Sequence, residues 1–259
     1  MKTLKDYIEN VYEKENMANI YNETSNPIGK NQNVYDHFNS FMFSPDRNIF
    51  NKLLWRLKFY DETKHLHGDI VECGVYKGSG MMTWLKAMDS YEHHSIKKVV
   101  GFDMFNAQDT LNSITDSIDN MMMKQVLERD MKMTDLSLEA VKSRIEGAGF
   151  HSDKFELVKG DISFTSNEYL KTRPGFRISI LYLDLDIYQP TYDVLMNLHS
   201  RVIPGGRIVF DEYAYQSWSE SQAADDFNDM YGHDYNTYKI DVKAPTLVME
   251  KHIHPNDAE

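Results

Sequence analysis

Apolar and polar positions alternate between two periods along this chain, and the changes of period mark its elements. Ile49, Phe50, Leu53, Leu54 and Leu57 recur at helical spacing and outline one apolar face. Ser44-Pro45-Asp46 ahead of them predicts the helix start, with Ser as cap, Pro at the first helical position and an acid in the first turn. Gly68 breaks that pattern, and Asp69-Ile70-Val71-Glu72-Cys73 predicts a first strand. A helix through Met82, Leu85 and Met88 follows. Residues 98–103, 155–161, 178–183 and 207–210 predict four further strands. Between and after them, helices are predicted from 136 to Gly147 or Gly149, over 190–201 and over 223–231. Pro204-Gly205-Gly206 reads as the turn out of the 190–201 helix, and 238–242 with 246–250 as a terminal strand pair.

Strands that alternate with helices imply a mainly parallel sheet. The expected fold class is α/β: a doubly wound, Rossmann-like, seven-stranded sheet with an antiparallel C-terminal edge, plus an N-terminal helical extension. Residues 1–43, polar and rich in Asn and Tyr, read as a helical arm or lid, and 44–259 as one domain. Within it, 104–136 reads as an irregular Met- and Asp-rich insert, a candidate lid.

Composition narrows the function classes. A formal charge of −12 argues against nucleic acid or an anionic membrane as partner. The single Cys73 leaves no internal disulfide and suits a reducing compartment. No apolar run approaches the roughly 20 residues that span a bilayer. The first residues show no signal-peptide apolar region, so a cytoplasmic enzyme is expected. A homo-oligomer is left open, with the N-terminal arm as the segment able to pack on a neighbour.

The candidate chemistry lies at the ends of the predicted strands. Asp184-Leu185-Asp186-Ile187-Tyr188 directly follows the fourth, and Asp211-Glu212 the fifth. In an open α/β sheet, ligands bind at the carboxyl ends of the strands. Four carboxylates converging there repel one another unless something positive sits between them, and a hard divalent cation is the economical answer. The turn Glu72-Cys73-Gly74-Val75-Tyr76-Lys77-Gly78-Ser79-Gly80 joins the first strand to its helix. It is not the Gly-x-Gly-x-x-Gly of a dinucleotide site and better suits a nucleoside without phosphates. Asp103 ends the second strand, where a carboxylate can accept from both ribose hydroxyls, and Asp161 ends the third, where a side chain can meet adenine. Each alone could be a helix cap; together, in order on successive strands, they read as an S-adenosylmethionine pocket.

At this point the chain resembles the macrocin-type sugar O-methyltransferases, from about Ser44 to the end. The residues that carry the resemblance are Ser44-Pro45-Asp46-Arg47, Gly68 through Gly78, Ser137-Leu138-Glu139, Leu183 through Thr191, Pro204-Gly205-Gly206 and Ala223 through Phe227. The resemblance implies a Mg²⁺- and S-adenosylmethionine-dependent enzyme that methylates a sugar hydroxyl in a glycoside or nucleotide-linked sugar. It implies that Asp184, Asp211 and Glu212 hold Mg²⁺ and that Asp186 is the general base. The family commonly has Asp-Asp where this chain has Asp211-Glu212. Glu72, Cys73, Gly74, Tyr76, Gly78, Ser79, Asp103 and Asp161 are the expected cofactor contacts.

Plainer readings cover the rest. Asp225, Asp226 and Asp229 are expected on a solvated helix face. His93, His94, His252 and His254 are not expected to be ligands or bases, because imidazole is not the natural partner of Mg²⁺. Cys73 reads as a small buried residue, and the Met residues as core filler or lid lining. Tyr213, Tyr215 and Trp218 are candidates to stack on a substrate ring. The competing functions are a catechol-type O-methyltransferase and a metal-dependent glycosyltransferase, since Asp-x-Asp also marks sugar-nucleotide sites. The glycosyltransferase leaves the Glu72-to-Gly78 loop and Asp103 unexplained.

Overall fold

The computed structural model of the chain describes residues 27–92, 94–129 and 136–253, with side chains from 32 onward except at Arg129. Most of the N-terminal arm, His93 and His254 lie outside these residues. The chain divides into two compact units between Arg47 and Asn48. The described part of the first unit carries helix α1 (Pro27–Met42).

The second unit opens on α2 (Asn48–Thr63), and its β-strands form one seven-stranded sheet. In chain order the strands are β1 (Asp69–Cys73), β2 (Val99–Asp103), β3 (Phe155–Lys159), β4 (Ile178–Leu183), β5 (Val202–Phe210), β6 (Tyr235–Lys239) and β7 (Leu247–Lys251). They lie in the order β3-β2-β1-β4-β5-β7-β6, with β7 antiparallel to both β5 and β6 and the other pairs parallel. The order reverses between β1 and β4, so the crevice of an open sheet falls at their carboxyl ends.

Alternation along each strand divides the core in two. Ile70, Val99, Ile180, Tyr182 and Val209 pack with Phe59 and Tyr60 of α2, Trp84 and Leu85 of α3 (Ser79–Tyr91), and Val141 and Ile145 of α6 (Leu138–Gly147). Val71, Cys73, Phe102, Leu181 and Phe210 pack on the opposite face, beneath α7 (Ile162–Lys171), α8 (Tyr188–Leu198) and α9 (Glu220–Tyr231). Both faces are covered, as parallel strands buried on both sides require.

Four local expectations change. The described part of the 104–136 segment is not irregular: it carries α4 (Ala107–Ser113) and α5 (Ser117–Arg129). Asn106 caps α4 by accepting from the backbone of Gln108 and Asp109, a signal masked by the Met and Asp content. Helix α2 starts at Asn48, because Ser44 Oγ accepts locally from Asp46 N and turns the chain first. Its expected apolar face is not the buried one: Ile49, Phe50 and Leu54 are exposed, while Arg56, Phe59, Tyr60 and Thr63 are buried. Pro204-Gly205-Gly206 lies inside β5 rather than outside it. The β4–β5 register jumps from Ile178↔Val202 to Ile180↔Arg207, so these residues form an irregularity in the ladder, with Gly205 at φ 77°.

Candidate active site

The site begins where the strands end. Among the described residues, the non-glycine positions with positive φ are Tyr76, Phe105, Asp186 and Ala214, one shortly after each of β1, β2, β4 and β5. Strained backbone of this kind persists only where its surroundings over-determine it, and it concentrates at functional sites. Asp184 and Asp186, two residues apart, share the side-chain parity of an extended strand, and both line the same cavity, with Asp186 at φ 67°.

That cavity has a volume of about 510 Å³, within the range of small-molecule sites. Gly74, Tyr76, Asp103, Asp161, Asp184, Asp186 and Glu212 all border it. Helices α4 and α5 wall it with Thr110, Met123 and Val126.

Asp103 organises one end. Its carboxylate accepts from the backbone N–H of Val75 (2.8 Å), Tyr76 (3.0 Å) and Phe105 (2.7 Å), so it fixes the glycine loop while bordering the cavity. Burial raises it to about 6 against the pull of these N–H donors. Asp161 borders the cavity and also caps α7 by accepting from Ser163 N at 3.0 Å. Glu72, Cys73, Gly78 and Ser79 are not among the cavity-lining residues. Glu72 shares the face of Ile70 and is buried under the loop against Arg56 Nη2 (3.1 Å), with burial raising it to about 7. Cys73 is buried, and its thiol is pushed well up by that burial. Gly78 supplies the left-handed turn (φ 89°) into α3, and Ser79 is its exposed first residue.

The acidic end is a connected cluster. Burial first, then the charge and hydrogen bond of Glu212, raise Asp186 well above the usual carboxylate range. Burial raises Glu212 to about 7. Asp211 is fully buried and accepts from the Tyr182 hydroxyl; burial and then Asp184 raise it to about 6, against Lys52 and Arg56.

Three functional candidates escaped the sequence reading. Lys52 and Arg56 stand one turn apart on α2. Lys52 Nζ lies 2.5 Å from Asp211 Oδ2 and 3.3 Å from Asp184 Oδ2. Burial alone would lower its pKa, but the two carboxylates raise it. Arg56 stacks over the Tyr182 ring at 4.1 Å and reaches Glu72. Two cations at i and i+4 on a helix with apolar neighbours were the available signal. Glu220, fully buried, accepts from Glu212 N at 2.9 Å and so orients that residue. Of the three aromatics, Trp218 borders the cavity, whereas Tyr213 donates to Asp225 at 2.8 Å. Asp226 likewise accepts from Tyr188 OH at 2.8 Å, so these two acids are not merely solvated.

The donor chemistry of Asp184, Asp211 and Glu212 fits a hard divalent cation. All offer carboxylate oxygens, and Glu212 Oε2 is buried without a hydrogen-bond donor. As arranged, no group of three His, Cys, Asp or Glu among the described residues is set to hold a metal, and Lys52 stands between two of the three candidates.

The family model of the macrocin O-methyltransferases matches residues 60–247. The chain belongs to that family. A tetracenomycin rhamnosyl 4'-O-methyltransferase of Streptomyces olivaceus is 28% identical over 165 residues, covering 64% of this chain and 59% of that protein. Mycinamicin III 3''-O-methyltransferase of Micromonospora griseorubida is 27% identical over 176 residues, covering 67% and 65%. The chain therefore spans somewhat under two thirds of the curated relatives it matches. The same class I methyltransferase fold occurs in the O-methyltransferase NovP (TM-score 0.61, 21% identity, 78% of this chain and 79% of that one). It occurs again in CalS11, a TDP-rhamnose 3'-O-methyltransferase of calicheamicin biosynthesis (TM-score 0.60, 20% identity, 96% and 94%). Among the described residues, no helix of this family member is long and apolar enough to cross a membrane.

Proposed function

We propose that this chain transfers a methyl group from S-adenosylmethionine to a hydroxyl of a sugar, carried by a glycoside or a nucleotide, with the help of Mg²⁺. One observation carries the reading: a single cavity is bordered both by a ribose-type carboxylate, Asp103, and by the Asp184, Asp186 and Glu212 carboxylates. The family relationship supports it, since relatives that match are named as O-methyltransferases of a rhamnosyl-tetracenomycin and of mycinamicin III. Residues 1–43 are then an arm, and 44–259 the methyltransferase domain.

Asp103 would accept from the ribose hydroxyls, Gly74 and Tyr76 would line the path of the methionine part, and Asp161 would face adenine. The sulfonium group supplies an electrophilic methyl. Asp184, Asp211 and Glu212 would hold the Mg²⁺, which when bound lowers the pKa of a coordinated hydroxyl. Asp186 would take the proton of the acceptor hydroxyl as its oxygen attacks the methyl and the methyl–sulfur bond breaks, its electron pair leaving with sulfur as a neutral thioether. An acid raised above the usual range, once ionised, is a stronger base near neutral pH than an ordinary aspartate. Glu220 holds the backbone of Glu212, and α4 and α5 wall the cavity against water. Holding both reactants in one cavity removes much of the entropic barrier to their meeting.

Calorimetric titration with S-adenosylmethionine, followed by a methyl-transfer screen of sugar acceptors with Mg²⁺ and with EDTA, tests the proposal. Micromolar binding with methylation that EDTA abolishes is the expected result. Absence of S-adenosylmethionine binding would remove it, and EDTA-resistant turnover would remove the Mg²⁺.

A further inference from the structure

We infer that Lys52 is a built-in competitor for the divalent cation: its ammonium occupies the space between Asp184 and Asp211 and withdraws when the cation binds. The inference rests on the Mg²⁺ reading above and concerns a residue outside the 60–247 match of the family model.

The geometry makes the two cations exclusive. Mg²⁺ binds oxygen at about 2.0–2.1 Å and demands near-octahedral surroundings. An ammonium 2.5 Å from Asp211 Oδ2 and 3.3 Å from Asp184 Oδ2 takes the same oxygens from the same side. Both cannot be accommodated, on grounds of volume and of like charge. The carboxylates nevertheless need a cation at all times. Asp211 is fully buried, and a buried carboxylate left unpaired is costly.

The two α2 cations beside the acidic cluster differ in their freedom. Arg56 is 5% exposed, ion-paired to Glu72 and stacked over Tyr182, so it is fixed. The Lys52 side chain is 27% exposed and borders the cavity, so its end has a path outward. A lysine suits this part, being a compact charge on a flexible four-carbon stem. Lys52 thus keeps the cluster compensated without metal, and its displacement reduces the net affinity for metal.

The test is Mn²⁺ binding to the full chain by calorimetry, in wild type, Lys52→Met and Lys52→Gln, with S-adenosylmethionine binding measured on the same samples. Both variants should bind Mn²⁺ about tenfold more tightly or better, which corresponds to about 1.4 kcal/mol of relieved competition. Thermal unfolding supplies a second readout. Without metal the variants should melt below wild type, and Mn²⁺ should raise their Tm by more than it raises that of wild type. Equal or weaker Mn²⁺ binding in both variants overturns the inference, as does an equal Tm response. If no protein binds Mn²⁺ while S-adenosylmethionine still binds, the inference and the metal fall but methyl transfer stands. Loss of S-adenosylmethionine binding in wild type would instead strike the proposed function itself.

Discussion

A Cβ on Gly74 would stand 2.0 Å from the carbonyl oxygen of Asp184. The glycine loop and the first acidic residue after β4 therefore touch through backbone, which puts that loop and the acidic cluster in mechanical contact. Asp184 N donates to Cys73 O at 2.9 Å in the same seam.

Gly74→Ala is expected to cost about 2 kcal/mol or more, from the clash and from a φ of 90° that suits glycine. Urea unfolding measures the loss, and S-adenosylmethionine affinity should fall with it. Gly147, where an added Cβ meets nothing within 4 Å, is the control: alanine there should be neutral or slightly stabilising. Equal effects at both positions would deny the seam its role.

Arg56→Met should destabilise the fold by about 3–5 kcal/mol, because it leaves the fully buried Glu72 without its partner. Adding Glu72→Gln to that variant should recover part of the loss. A double-mutant cycle in chemical denaturation would read the coupling, and additive losses would show that the pair is not one unit.

Asp103 gives a pH signature. Burial raises its folded value to about 6 from 3.8. The folded state therefore holds this proton more tightly, and the associated stability is fully present below pH 3.8 and lost as pH rises through about 6. Ribose hydroxyls need the ionised form, so S-adenosylmethionine affinity should move the other way, rising with pH through about 6 and then levelling. Asp103→Asn should flatten both profiles. Calorimetry across this range would refute the role if the variant kept the wild-type slope.

Asp186→Asn should keep S-adenosylmethionine affinity while lowering turnover by about 100-fold or more, the usual worth of a positioned base. Single-turnover methyl transfer measures the chemical step. Wild-type turnover in this variant would transfer the base role elsewhere in the cluster.

The order of strands, the parallel sheet with its antiparallel edge, and the acids at strand ends were legible in the sequence, because each depends on local periodicity or on the residue that follows a strand. The helices of 107–129 were obscured because their hydrophobic residues are Met-rich and sparse. Glu72 was read as a cofactor contact from its place beside Gly74. Its side chain follows the parity of Ile70 to the other face, where Arg56 meets it.

What the sequence by itself determined is a topology that brings the ends of β1, β2, β3, β4 and β5 to one side, since right-handed crossovers between parallel strands leave little choice. What only the tertiary structure decided is which charges meet there. Lys52 and Asp184 are 132 residues apart, and no local pattern relates them. Their pairing follows from where α2 packs against the sheet, and that position is set by Phe59, Tyr60 and the buried Arg56 rather than by the apolar face that its spacing outlines.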